Sequence, residues 1–402
     1  MAQHILKRPR RRASVHWLWL GIPLVLAVLA AYVWLRILGE EQALASDSGV
    51  VAAESSVQPG SSNDTASAPE PPRLLEQQVA ALGEAFGGDV GIIVQPAGGG
   101  WSAEFNGDMV LPQQSLSKLW VAAAILDRVD RGELTLDQQL TLTSADLSIF
   151  HQPIRKQILA AGRYQVSIAE LLRYAMTQSD NTANAVLFRQ AGGQAGVMRF
   201  LASRGLSEIQ MATSETDLQM GIAGMQWRSA YSYGRNFWTA RAALPFDHRA
   251  KALGAYLADP PDGATPRGYA KGLGLLAQGK LLRPQTSAYL IGLMGQSKTG
   301  PQRLRGGLPP AAPGADPGLT PDAAGVAQSG WTLPHKTGTG QVLKQLATAY
   351  NDVGILTAPD GRRYILTVMI GSTNRSVKER QEMMQAVTRS VIACDEAGMC
   401  RS

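Results

Sequence analysis

Residues 111–120 read LPQQSLSKLW and stand ahead of an apolar, alanine-rich run that continues to about residue 129. Ser115 and Lys118 are three residues apart, so on a helix they share one face and the amine can reach the hydroxyl. If the helix begins at Ser115, its free N–H groups and its dipole favour a developing alkoxide. The stretch therefore predicts either a nucleophile with its base or an ordinary polar turn before a core helix.

Two further polar motifs follow in order along the chain. Ser179, Asp180 and Asn181 lie between two helical runs, where these residue types also suit a plain helix cap. Residues 336–340 read KTGTG at the start of a predicted strand, where an ordinary glycine-rich strand end is the alternative. Each motif has an ordinary explanation, but their order and predicted structural context together favour one shared active site.

The pattern of the chain from residue 74 onward predicts an α+β fold. An amphipathic helix over 75–88 and a predicted hairpin over 89–108 are followed by helical periodicity over 115–200. Strand patterns return after residue 335, and a helix closes the chain. Strands from both ends of the chain therefore flank a helical middle. We expect a three-layer α/β/α domain, in which terminal helices flank an antiparallel sheet and an all-helical subdomain is inserted.

The three motifs resemble those of the active-site serine penicillin-recognising enzymes. The resemblance runs from about Leu74 to the C-terminal helix and is strongest to the class A β-lactamases. The segments that carry it read SLSKLWVAAAILDRVDRGELTLDQQ, SDNTANAVL, TPRGYAKGL, GWTLPHKTGTG and YNDVGIL.

The resemblance implies a role for each catalytic candidate. Ser115 would attack a lactam carbonyl, and Lys118, with its pKa lowered by Lys336 and by burial, would take the proton. Ser179 would relay a proton to the leaving nitrogen. The backbone N–H groups of Ser115 and Thr339 would form the oxyanion hole.

The same resemblance implies how a substrate is held. Asn181 would bind the amide side chain of the substrate, and Lys336, Thr337 and Thr339 would meet its carboxylate. Gly338 has no side chain, so the substrate could lie along the strand edge as an added strand.

Class A enzymes activate the hydrolytic water with a Glu in an ExxLN segment, and here SETDLQ offers Glu215. Leu218 fits that segment, but Gln219 stands where the family usually has Asn. An exposed loop glutamate is the alternative, and the division of labour between Lys and Glu in acylation is itself disputed. His335 stands where many members have Asp and some have His, and we interpret it as structural.

Residues 229–263 form an insertion that is longer than the usual link in the family. The insertion is rich in aromatic and basic residues and borders the segment that contains Glu215. Three roles stay open for it: a lid, a second binding surface, or a membrane-facing patch.

The N-terminal part of the chain predicts a membrane anchor. Residues 1–16 are basic, and the predicted anchor over 17–38 contains nineteen uncharged residues, 17–35. At ~1.5 Å per residue, a helix over these nineteen residues is almost long enough to cross a hydrocarbon core of ~30 Å. Residues 39–73 have the composition of a flexible stalk. A signal peptide cleaved after the alanines near residue 45 is the alternative. In either case the basic flank stays cytoplasmic, which predicts an inner-membrane protein whose domain over 74–402 is periplasmic.

Composition narrows the partners further. The net charge of +6 comes largely from residues 1–16, so a nucleic-acid-binding surface on the folded domain is not indicated. The histidines lack metal-ligand spacing, and we expect no metal or other cofactor. Cys394 and Cys400 could close a small disulfide in an oxidising compartment, with two free thiols as the alternative. We expect a monomer.

A membrane-anchored class A-type β-lactamase is the function that the sequence favours. A D-alanyl-D-alanine carboxypeptidase acting on peptidoglycan stem peptides shares the three motifs but lacks a dedicated deacylating Glu. A non-catalytic sensor of β-lactams or cell-wall fragments is the third possibility. Glu215 separates these functions, because fast turnover needs it and the other two do not.

Overall fold

A computed structural model describes residues 70–310 and 330–401 of the protein. The helices in these ranges are α1 (Arg73–Phe86), α2 (Lys118–Asp130), α3 (Arg155–Ala161), α4 (Ile168–Thr177), α5 (Asn181–Gln190), α6 (Gly193–Ser203), α7 (Glu215–Ala223), α8 (Asn236–Ala243), α9 (Phe246–Ala258), α10 (Pro266–Ala277), α11 (Pro284–Gly295) and α12 (Val377–Glu396). The strands are β1 (Val90–Pro96), β2 (Ala103–Phe105), β3 (Leu111–Pro112), β4 (Gln139–Leu142), β5 (Tyr164–Ser167), β6 (Gly263–Ala264), β7 (His335–Thr339), β8 (Val342–Leu343), β9 (Leu346–Thr348), β10 (Tyr350–Thr357), β11 (Arg363–Ile370) and β12 (Ser372–Thr373).

The central sheet has five antiparallel strands in the order β2-β1-β11-β10-β7. Val90 at the start of β1 pairs with Ile370 at the end of β11, so strands from both ends of the domain lie side by side. At the other side of the sheet, Tyr350 on β10 pairs with Thr339 on β7. The predicted α+β fold with an antiparallel sheet is confirmed.

Both faces of the sheet are buried, because β1, β10 and β11 are buried almost continuously and successive side chains of a strand point to opposite faces. Ile92 and Val94 on β1 belong to a core that includes Leu75 of α1 and Met384 of α12. Ile93 points to the opposite face and joins a second core shared with the helical subdomain. This arrangement gives the three layers expected from the sequence.

Helix α2 is the centre of the helical subdomain. Its residues from Lys118 to Asp127 are all buried, and the ring of Trp120 packs 5.1 Å from that of Tyr269 on α10. At Gly272 a Cβ atom would lie 2.4 Å from the Trp120 ring, so glycine allows α10 to approach α2 closely. The helix begins later than expected: Ser115 lies in a 3₁₀ turn, Gln114–Ser117, that leads into α2.

The predicted insertion over 229–263 contains a 3₁₀ turn (Ser229–Ser232) together with α8 and α9. Its Trp238 stacks on Phe150, with ring centroids 5.2 Å apart, and so joins the insertion to the loop before α3. Cys394 and Cys400 form a disulfide. Of the two predicted alternatives, the disulfide is therefore confirmed over two free thiols.

Some sequence predictions lie outside the described residues, namely the basic tail, the anchor over 17–38 and all but the last residues of the stalk. Within the described ranges, no helix combines the length and the apolar character needed to cross a membrane.

Candidate active site

The turn that carries Ser115 is held from several sides. The Asn351 side chain on β10 donates from Nδ2 to the carbonyl oxygens of Pro112, at 2.8 Å, and Gln113, at 3.2 Å. Gln114 has φ of +52°, in the left-handed region that a non-glycine residue rarely occupies. Its backbone N–H donates to the Asp262 carboxylate at 2.7 Å. Hydrogen bonds with residues distant in sequence therefore fix the backbone just before Ser115.

Lys118 is placed to accept the Ser115 proton. Its Nζ lies 2.7 Å from Ser115 Oγ, and the lysine is fully buried while Ser115 is half-buried. Burial lowers the pKa of Lys118, whereas the carboxylates of Glu215 and Asp180 act in the opposite direction. The expected lowering of the Lys118 pKa is therefore present, with burial as its main cause.

The second and third motifs meet at the other side of Ser115. Lys336 Nζ donates to Ser179 Oγ at 3.1 Å and to the Thr337 carbonyl oxygen at 2.9 Å. Burial, followed by repulsion from Lys118 and Arg303, lowers the pKa of Lys336 well below its usual range. Two buried lysines thus face two half-buried serine hydroxyls across one cleft.

Asp180 and Asn181 have different tasks in the structure. Asp180 is the N-cap of α5: its carboxylate accepts from the Ala183 N–H at 2.9 Å and also from the Ile154 N–H at 2.7 Å. The plain-cap alternative is thus correct for Asp180. Asn181 Nδ2 donates to the Ile149 carbonyl oxygen at 2.8 Å and approaches Glu215 Oε1 at 3.4 Å.

Strand β7 approaches the Ser115 turn closely at Gly338. A Cβ atom there would lie 2.4 Å from the Gln113 carbonyl oxygen, so only glycine fits without a backbone shift. Thr337 Oγ1 lies 2.7 Å from Thr299 Oγ1, and Thr339 is exposed at the edge of the cleft.

Arg303 is a further site residue that the sequence did not predict. Its guanidinium donates to Thr339 Oγ1 at 2.5 Å and to the Gly338 carbonyl oxygen at 2.8 Å, and it lies 3.7 Å from the centre of the Tyr350 ring. Arg303 belongs to no local motif, and it meets β7 only through the tertiary fold. It adds a buried positive charge beside the strand expected to hold a carboxylate.

Glu215 is the first residue of α7 and faces into the site. Its Oε2 lies 3.9 Å from Lys118 Nζ, and its side chain is 10% exposed. Gln219, one turn later, donates from Nε2 to Glu215 Oε1 at 3.1 Å. The exposed-loop alternative for Glu215 is therefore wrong, although its catalytic role stays a prediction.

His335 is the first residue of β7, and its ring contacts Asp352 of β10. Its Nδ1 is 2.9 Å from both carboxylate oxygens of Asp352, and both side chains are fully buried. This contact fits the structural role predicted for His335. Among residues 70–310 and 330–401, no group of three or more His, Cys, Asp or Glu side chains is arranged to hold a metal ion.

The structure therefore brings the predicted site residues into one cleft. Short contacts link Ser115 to Lys118, Lys118 to Glu215, and Glu215 to Asn181. A separate contact links Lys336 to Ser179, and the close approach of β7 to the Ser115 turn at Gly338 brings the two groups together. The oxyanion hole of Ser115 and Thr339 stays a prediction. Chemically, the cleft combines a hydroxyl that can act as a nucleophile, a buried amine beside it, and a carboxylate 3.9 Å from that amine.

Comparison with known proteins gives a consistent result. The model of the beta-lactamase enzyme family matches residues 73–393. The extended-spectrum beta-lactamase PER-1 of Pseudomonas aeruginosa is 26% identical over 69% of this chain and 73% of its own. Beta-lactamase VEB-1 of the same organism is 22% identical, over 71% of this chain and 78% of its own.

Solved structures agree with the sequence comparison. A beta-lactamase from Chitinophaga pinensis is similar with a TM-score of 0.62 and 26% identity, covering 80% of this chain and 99% of the other. An ancestral class A beta-lactamase has a TM-score of 0.60 and 28% identity, with the same coverage.

Proposed function

The chain belongs to the beta-lactamase enzyme family, and from this premise we propose that it hydrolyses β-lactams through an acyl-enzyme on Ser115. One observation carries the proposal: the buried Lys118 amine lies 2.7 Å from Ser115 Oγ. Because burial lowers the pKa of this lysine, its neutral form can accept the serine proton.

Acylation would use the Ser115, Lys118 and Ser179 side chains. Ser115 Oγ passes its proton to Lys118 Nζ and attacks the lactam carbonyl carbon. The carbon–nitrogen bond of the ring then breaks, and the nitrogen takes a proton through Ser179 Oγ. Lys336, 3.1 Å from that hydroxyl, supplies positive charge near the breaking bond.

Substrate binding would use the groups that line the same cleft. Asn181 is placed to meet the amide side chain, and the hydroxyls of Thr337 and Thr339 to meet the carboxylate. Arg303 supports this arrangement, because its guanidinium adds positive charge at Thr339.

Deacylation would use Glu215. Its carboxylate takes a proton from a water molecule, and the resulting hydroxide attacks the ester carbonyl carbon. Ser115 Oγ then leaves and regains a proton from Lys118, which recovers one from the Glu215 carboxyl group. The contact of 3.9 Å between Glu215 and Lys118 supports this role, because it places the carboxylate beside the group that contacts Ser115.

The test is Glu215→Gln, which keeps the size of the side chain and removes the base. General-base catalysis is worth roughly 10²–10⁴-fold, so steady-state turnover of a penicillin should fall by about that factor. Ser115 should still acylate, and mass spectrometry should find the penicilloyl adduct on the peptide that contains QQSLSK. Asp217→Asn is the matched control, since Asp217 lies in the same first turn of α7 but is exposed.

Two results would count against the enzyme. Labelling that persists in Ser115→Ala would remove the proposed nucleophile. A wild-type protein that already stalls as the acyl-enzyme, and that Glu215→Gln does not change, would favour the peptidase or the sensor.

The proposal extends to location: an inner-membrane anchor over 17–38 with the domain from residue 74 in the periplasm. The basic residues 1–16 before an apolar run support this orientation. The disulfide between Cys394 and Cys400 supports an oxidising compartment. Fractionation of cells should recover the full chain with the inner membrane, whereas a soluble form that begins near Ser46 would indicate cleavage.

A further inference from the structure

A chain of buried hydrogen bonds runs from Glu215 into the insertion. Gln219 Nε2 donates both to Glu215 Oε1, at 3.1 Å, and to Gln114 Oε1, at 2.7 Å. Gln114 Nε2 donates in turn to the hydroxyl of Tyr256 at 2.6 Å, and this hydroxyl donates to Asp262 Oδ1 at 3.0 Å.

This series of hydrogen bonds ends at the backbone of the residue that precedes the nucleophile. Asp262 Oδ2 accepts from the backbone N–H of Gln114, the residue that precedes Ser115. Tyr256 lies on α9 and Asp262 between α9 and β6, so both come from residues 229–263. All four side chains beyond Glu215 are buried, with exposed fractions of 3% for Gln114, 2% for Gln219, 5% for Tyr256 and 1% for Asp262.

The direction of each bond follows from Asp262. An ionised carboxylate only accepts, so Tyr256 gives it the single hydroxyl proton and must itself accept from Gln114 Nε2. The carbonyl oxygen of Gln114 then faces Gln219, which fixes the Gln219 amide with its NH₂ toward Glu215. At the other end of that amide, Gln341 Nε2 donates to Gln219 Oε1 at 2.9 Å.

Without the Tyr256 hydroxyl, the side-chain amides of Gln114 and Gln219 would no longer be held in these orientations. Gln114 Nε2 would lose its acceptor in a buried site, and the amide could turn so that its NH₂ meets the NH₂ of Gln219. Two donors repel, so Gln219 would move away from Glu215 or present its oxygen to the carboxylate. Either change disturbs the carboxylate that deacylation needs.

We propose that Tyr256 is a positioning residue for Glu215, through which the insertion orients the base of the deacylation step. The inference rests on the proposed function, because it needs a deacylation step at Ser115. It also gives the insertion a role that differs from a lid, a second binding surface or a membrane-facing patch.

The test is Tyr256→Phe in the full chain, with acylation and deacylation of a penicillin measured separately by rapid quenching and mass spectrometry. Loss of one buried hydrogen bond corresponds to about one decade in rate. Deacylation should therefore slow about tenfold, while the acylation rate stays within about twofold. The variant should accumulate acyl-enzyme at steady state, which a general loss of folded protein would not produce.

Tyr269→Phe is the matched control. Tyr269 is another buried tyrosine, and its hydroxyl donates to Oε1 of Gln113, which lies next to Gln114. It does not belong to the series of hydrogen bonds that leads through Gln114 to Gln219. We expect the ratio of the two rates to stay within about twofold of wild type in this variant.

If Tyr256→Phe does not fold, Asp262→Asn provides the second test. Asparagine has an oxygen at only one of the two carboxylate positions, so when that oxygen accepts from the Gln114 N–H the NH₂ group faces the Tyr256 hydroxyl. The order of the hydrogen bonds is then lost, and deacylation should slow more than acylation. Equal slowing of both steps, or unchanged deacylation in a folded variant, would overturn the inference alone. Absence of any acyl-enzyme in wild type would overturn the proposed function together with the inference.

Discussion

The buried carboxyl group of Asp262 makes the stability of the protein depend on pH in a defined direction. Burial raises the pKa of Asp262 from 3.8 to about 6, and the nearby Glu215 adds to the rise, while donors from Gln114 and Tyr256 oppose it. The folded protein therefore binds this proton more tightly than the unfolded chain does. The stabilisation is fully present below about pH 4 and is lost as the pH rises through 6.

The size of this effect follows from the shift. One pKa unit is worth about 1.4 kcal/mol, so the difference between 3.8 and about 6 corresponds to about 3 kcal/mol. Asp262→Asn removes the titrating group. We compare the free energy of unfolding of wild type with that of the variant. As the pH falls from about 7.5 to about 4, wild type minus variant should increase by about 3 kcal/mol.

Urea-induced unfolding of the full chain and of Asp262→Asn, at several pH values, measures this difference. The subtraction removes the contributions of the other titrating groups that the two proteins share. Tyr256→Phe, which removes a donor that lowers the Asp262 pKa, should move the midpoint of the change above 6. A difference that stays constant with pH, or that favours the variant as the pH falls, would refute the reasoning.

Two other predictions follow from the fold. Gly338→Ala should slow penicillin labelling at least about tenfold and lower the free energy of unfolding by about 1–3 kcal/mol, because the new Cβ would lie 2.4 Å from the Gln113 carbonyl oxygen; labelling at the wild-type rate would contradict this. Residues 74–402 alone should fold and label with penicillin, since the segment before residue 74 contains no predicted core element or motif; a folded but unlabelled fragment would show otherwise.

The local motifs, together with the family resemblance that they carry, were enough to predict the candidate catalytic groups and the elements that present them. Ser115 and Lys118 are linked by helical spacing, and Lys336 stands at the start of a strand with clear alternation. The exact start of α2 was missed, because the turn over Gln114–Ser117 depends on contacts with distant residues. One of these is the Asp262 carboxylate, which accepts the Gln114 N–H across 148 positions of sequence.

Residues that support the catalytic groups could not be predicted in the same way. Tyr256 lies in an insertion without a family pattern, and Arg303 reaches Thr339 only through the tertiary fold. Gln114 directly precedes the nucleophile, a position that could have marked it as worth attention. Its partners Gln219, Tyr256 and Asp262 lie at least 105 positions away along the sequence, however, and no local pattern joins them.

The pairing of β1 with β11 constrains the order of events during folding. Val90 meets Ile370, so the longest partner of β1 becomes available only when almost the entire chain has been made. Contacts between such distant residues are associated with slow folding, since a long loop must close before they form. A nascent chain that ends just after residue 340 would contain every catalytic motif but lack β10 and β11, the strands that join β7 to β1. The sheet must therefore stay incomplete until β10 and β11 have been made, and enzymatic activity can begin only after that point.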